Sequence, residues 1–140
     1  MKWIFLLLVG LVAVACSHRD NCALCGSWRS DAAASLAEVE ASGVLSPEEK
    51  ARYRNNFFGR LTVEFTRTET RSYFPEESPE SAHWWPYEVV DGRGNTIVIT
   101  YLNPSTGQRE ERTYLVAGNC YRVVQPGRGY AEHFCRVPGA

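Results

Sequence analysis

From residue 59 onward, apolar and polar residues alternate at period two in short runs, and turn-forming residues separate each run from the next. The runs cover residues 61–65, 70–74, 84–91, 95–102, 109–116, 119–124 and 130–137. In the first of them, Leu61, Val63 and Phe65 share one face. The connections 66–69, 91–94, 103–107, 117–119 and 126–129 have hairpin length, whereas 75–83 is longer. Gly26-Ser27-Trp28-Arg29 predicts one more strand upstream, which brings the total to eight. Successive hairpins make an up-and-down meander. Eight strands suffice to close a barrel whose interior holds side chains or one small ligand. A two-sheet sandwich is the other architecture that fits. Aromatic residues form 12% of the chain and recur along the runs, in keeping with a packed β core.

Between the first strand and the rest the pattern turns helical. Asp31 or Ser30 can cap a helix over 32–40, with Gly43 as its stop. Ser46, Pro47 and Glu49 then form a capping box with proline at the first helical position. The second helix carries Ala51, Tyr53 and Phe57 on one side and ends near Gly59. The expected fold is therefore mainly β, an eight-stranded up-and-down antiparallel barrel with a helix-turn-helix between strands 1 and 2.

The N-terminal segment is built for export. Met1-Lys2 is a basic start, an apolar stretch follows from Trp3, and small residues close it. The stretch is shorter than the ~20 apolar residues of a membrane-spanning helix. Residues Ala13-Val14-Ala15-Cys16 resemble the lipobox of bacterial lipoproteins. The resemblance implies removal of residues 1–15 and lipidation of Cys16, with several acyl chains and hence stable anchoring. Ordinary cleavage after Ala15 would instead release a soluble protein beginning with Cys16. Cysteine parity favours the lipid. Of five cysteines, consumption of Cys16 leaves Cys22, Cys25, Cys120 and Cys135 to pair completely. Residues 16–21 read as a spacer and 22–140 as one domain of ordinary size. Ser17 after the cysteine, by resemblance to enterobacterial sorting, implies the outer membrane, facing the periplasm. Fifteen basic residues against sixteen acidic ones leave no basic stripe for nucleic acid.

Gly26-Ser27-Trp28 resembles the Gly-x-Trp that opens the first strand of lipocalins, within the calycin superfamily. In that family an arginine from the far end of the chain packs across the tryptophan at the closed end of the barrel. Arg136 stands where such a residue is expected, so Trp28 and Arg136 are the expected barrel-closure pair. The helix pair is similar to that of fatty-acid-binding proteins, which implies a lid over the open end. The resemblance then implies that the helices and the 75–83, 103–107 and 126–129 connections lie at the open end. The anchor would hold the closed end toward the membrane.

Pairing across the 126–129 turn sets Cys120 opposite Cys135, on the outward face with Arg122 and His133. Two disulfide patterns follow. One is local, Cys22–Cys25 with Cys120–Cys135. The other staples the N-terminal segment across the barrel seam, and the longer loops it closes favour it. At the mouth, Phe57, Phe58, Phe74, Trp84, Trp85 and Tyr87 are the candidate ligand-binding residues, with a packed interior as the alternative use of the same side chains. The chain carries no catalytic constellation, cofactor motif or metal-ligand set. The expectation is a non-enzymatic, membrane-anchored envelope lipoprotein whose barrel binds a small apolar ligand. The alternatives are a protein-binding barrel, such as a periplasmic protease or lysozyme inhibitor, and a structural envelope protein with a filled barrel.

Overall fold

A computed structural model describes residues 22–125 and 127–139. Cys16 and the export segment lie outside the described residues. Strand β1 (Gly26–Ser30) leads into helices α1 (Ala32–Ser42) and α2 (Pro47–Asn56). Seven strands follow: β2 (Thr62–Phe65), β3 (Glu69–Tyr73), β4 (Trp85–Arg93), β5 (Thr96–Leu102), β6 (Arg109–Ala117), β7 (Cys120–Val124) and β8 (Ala131–Arg136). Each strand pairs antiparallel with the next, and β8 pairs back onto β1, so the sheet closes into an eight-stranded barrel. The mainly-β, up-and-down expectation is met, and the sandwich is excluded. Closure removes both sheet edges, the usual weakness of an open meander.

The helices form where the capping residues place them. Asp31 takes the N-cap of α1, its carboxylate accepting from the amide of Ala34 at 3.0 Å. Ser30, the other candidate, belongs to β1, and its hydroxyl accepts from the amide of Gly59 instead. Gly43 ends α1 at φ 64°, a left-handed conformation suited to glycine. At α2, the Ser46 hydroxyl accepts from the Glu49 amide at 3.2 Å and the Glu49 carboxylate accepts from the Ser46 amide at 2.8 Å. This is the complete capping box.

The helix pair departs from the lid arrangement. α1 lies along the outer face of β8, with Ser35 and Val39 fully buried beneath it. The Ser35 hydroxyl accepts from the backbone amide of His133, and Glu38 meets both Arg122 and His133. Only the end of α2 reaches the rim. There Tyr53, Phe57 and Phe58 gather around Tyr130. A second small core of Val39, Phe58 and Tyr130 results, separate from the barrel interior. The small Ser35 lets α1 approach the strand closely, which favours the wall over the mouth.

Two strand details also differ. β4 runs on to Arg93 and pairs it with Thr96, so the turn is only Gly94 and Asn95, with Gly94 at φ 61°. A bulge at Val90 supplies the extra residue. Second, β3 and β4 share only two residue pairs, Glu69 with Pro86 and Thr70 with Trp85. The long connection that follows β3 carries a short 3-10 turn at Pro79–Ser81, and its Pro79 carbonyl accepts from Arg71 of β3.

The disulfides correct the stapled expectation. Cys22 bonds Cys25, and Cys120 bonds Cys135. The β7–β8 register sets Cys120 opposite Cys135, with α-carbons 4.0 Å apart. The tight turn that bonds the Cys25 amide to the Cys22 carbonyl brings the other two together. Proximity imposed by local structure outweighs the larger loop entropy that stapling would have removed.

Candidate functional site

The floor of the barrel is assembled around Trp28. Its ring is completely buried, and its indole N–H donates to the Leu24 carbonyl at 2.7 Å. Tyr121 meets it edge-on at 4.8 Å and stacks in turn on Phe134 at 5.1 Å. The Arg136 guanidinium lies 4.2 Å from the indole ring centre. That guanidinium also donates to the carbonyls of Cys25 and Ala23, at 2.8 and 3.0 Å. Gly26 has a specific reason. Its φ is 121°, and a β-carbon there would stand 2.9 Å from Arg136 Nη1. The Gly-x-Trp spacing thus serves the arginine as much as the tryptophan.

Above this floor the inward positions of the strands surround a cavity of about 340 Å³. Part of its lining is apolar, with Phe57, Leu61, Val63 and Leu102. The same lining includes Arg112 from β6, Gln125 after β7 and Glu132 from β8. Glu132 is 1% exposed, and among the described residues neither of its carboxylate oxygens makes a well-formed hydrogen bond. Burial pushes its pKa above the ordinary carboxylate value, while Gln125, Arg128 and Arg112 nearby act in the opposite direction. Arg112 stacks 4.9 Å from the Tyr101 ring centre, and its buried Nε is also unpartnered. Polar groups in a protein interior are ordinarily satisfied, so two such groups in one cavity stand out.

The tyrosines around the cavity are held neutral. Burial and a 2.8 Å hydrogen bond to Glu110 push Tyr101 up to about 12. Burial likewise raises Tyr114 and Tyr121. At the rim Arg128 donates to the hydroxyls of Tyr53 and Tyr130, at 2.5 and 3.3 Å. This fastens the β7–β8 turn to the end of α2.

The six candidate ligand residues do not form one cluster. Phe57 and Trp85 line the cavity, and Phe57 meets Phe74 at 5.7 Å on the rim. Trp85 is 41% exposed and packs against His83 at 4.3 Å. Phe58 is turned into the second core beneath the helices. Trp84 lies over the Arg71 guanidinium at 4.5 Å and does not line the cavity. Around that guanidinium, Glu64 accepts from Ser27, Arg71 and Tyr73, and Arg71 donates to the Pro79 carbonyl. Burial alone would raise Glu64, but these hydrogen bonds outweigh it and hold its pKa low. Tyr87 belongs to the floor, against Phe65, with its hydroxyl donating to the Thr66 carbonyl at 2.6 Å.

Arg112 and Glu132 were not singled out from sequence, although the signal was present. Inward parity through Tyr121, Val123, Phe134 and Arg136 extends directly to Glu132, and through Tyr114 to Arg112. A charged residue in phase with the core face of a strand is the pattern to look for. No family model, curated protein or solved structure matches this chain.

Proposed function

We propose that the protein is a non-enzymatic, lipid-anchored binding protein of the bacterial envelope, with a calycin-type barrel that takes one small ligand through its open end. The observation that carries this reading is the cavity of about 340 Å³ above the Trp28 floor, within the range of small-molecule sites. A barrel serving only as a scaffold would be expected to fill that space with side chains. The apolar part of the lining suits a hydrocarbon or aromatic body, while the aromatic floor keeps the other end shut. Lipidation at Cys16 would tether residue 22, at the closed end, and leave the mouth facing away from the membrane.

Fluorescence of single-tryptophan variants tests the reading. An amphiphilic ligand titrated into the purified protein should quench or shift Trp85, which lines the cavity, and leave Trp28 and Trp84 unchanged. A response at Trp28 alone, or none at Trp85 across a panel of fatty acids, fatty amides, 2-amino fatty acids, fatty alcohols and haem, would reject a ligand site in the barrel.

A further inference from the structure

Resting on the reading of the barrel as a small-ligand site, we infer that the ligand has an apolar body and a polar end of no net charge, with a hydrogen-bond donor beside an acceptor, as in a carboxamide or an amino-acid zwitterion. Glu132 and Arg112 receive that end. The two side chains come from different strands, β8 and β6, and line the same cavity. The carboxylate of Glu132 offers two acceptors without donors, and Nε of Arg112 offers a donor without an acceptor. No hydrogen bond joins the two to each other.

Their charges decide the ligand class. The two groups left with unpartnered atoms, a carboxylate and a guanidinium, sum to zero; of the other cations in the lining, Arg71 is paired with Glu64 and Arg128 is held at the rim by Tyr53 and Tyr130. A fatty acid would satisfy Arg112 and repel Glu132. An alkyl ammonium would satisfy Glu132 and leave Arg112 Nε without an acceptor. A head with a donor next to an acceptor answers both, and each bond it makes has one ionised partner, the stronger kind of hydrogen bond. Of the other polar groups facing Glu132, the Gln125 side chain is near enough to lower its pKa but makes no well-formed hydrogen bond to it. Arg128 is engaged with Tyr53 and Tyr130 at the rim, and the Tyr121 ring is committed to the floor. An unpaired buried carboxylate destabilises a fold. Its position at an inward strand site beside a cavity is what a binding role requires and a structural role does not.

The test uses four probes of equal chain length on the purified protein: octanamide, 2-aminooctanoic acid, octanoate and octylamine, with octanol as an uncharged control. Calorimetric titration should show octanamide or 2-aminooctanoic acid binding at least about tenfold more tightly than octanoate and octylamine, the factor that corresponds to one net hydrogen bond to a charged group. Which of the two leads tells amide from zwitterion. Glu132→Gln and Arg112→Met should each remove the preference. Glu132→Gln should at the same time raise the melting temperature, which separates a binding role from loss of structure. Tightest binding of octanoate or of octylamine would overturn the head-group assignment and leave the cavity as a ligand site. Binding of none of the five, octanol included, would overturn both. A Glu132→Gln protein that keeps the wild-type preference would overturn the assignment on its own.

Discussion

Trp28 is closed off from water by Tyr121 on one side, Arg136 on another and the Leu24 carbonyl at its indole nitrogen. Trp28→Ala should therefore cost about 3–5 kcal/mol in urea denaturation, the range for loss of a buried large aromatic. Gly26→Ala should also destabilise, because the added methyl meets Arg136 at a backbone angle unsuited to alanine. Glu132 acts in the opposite direction. Burial raises its native pKa above 4.5, so between 4.5 and the raised value the native state holds more protons than the unfolded chain. Its cost to stability is thus absent below about 4.5 and grows as pH rises through the native value. Glu132→Gln is expected to stabilise the protein by about 1–3 kcal/mol at neutral pH, and the difference should vanish near pH 4.5. Denaturation curves of both proteins across this range would check it.

Among the elements, α1 is clamped to the barrel wall by Glu38. Hydrogen bonds from Arg122 and then His133 hold the Glu38 carboxyl down at about 2. The stabilisation this gives is complete above the ordinary value of 4.5 and is lost as pH falls through about 2. The side chains are 28% and 36% exposed, so solvent screening limits the contribution to about 1 kcal/mol. Glu38→Gln should speed amide exchange in α1 at neutral pH without altering the strands, as hydrogen-exchange mass spectrometry would show. The β7–β8 hairpin is tied by Cys120–Cys135 across a separation of 15 residues, against 3 for Cys22–Cys25. By loop entropy the larger ring contributes about 3 kcal/mol. Replacing both of its cysteines by alanine should lower the urea midpoint more than the same change at Cys22 and Cys25.

For the molecule as a whole, the closed end is also the end at which the chain enters. Cys22 to Leu24 border a cleft there with Tyr87, Val89 and Ile97, opposite the mouth framed by Phe57 and Arg128. A lipid on Cys16 would make the membrane a neighbour of the floor and not of the cavity. Cys16→Ala is expected to move the protein from the membrane fraction to the soluble one, or to stall removal of residues 1–15. Detergent-free fractionation and intact mass would tell these outcomes apart. Unmodified Cys16 at the N-terminus of a soluble wild-type protein would refute the anchor.

Local chemistry determined much of this protein. Period-two alternation and well-spaced turn residues specify eight strands, because a strand can hide only every second side chain. Asp31, Ser46 and Glu49 start the helices through hydrogen bonds that close within a few residues. The Cys120–Cys135 register followed from counting across a short turn. Other outcomes depended on contacts far apart in sequence. Whether α1 covers the mouth or the wall depends on Ser35 meeting His133, 98 residues away. That Trp84 leaves the site while Trp85 enters it depends on the short β3–β4 seam and on where Arg71 is held. Parity places Glu132 and Arg112 on the inward face. Only closure of the barrel puts them in one cavity, with the Glu132 oxygens and Arg112 Nε left unpartnered among the described residues. An element's own periodicity reports which face is buried, but what that face encounters is decided by strands that the chain reaches later.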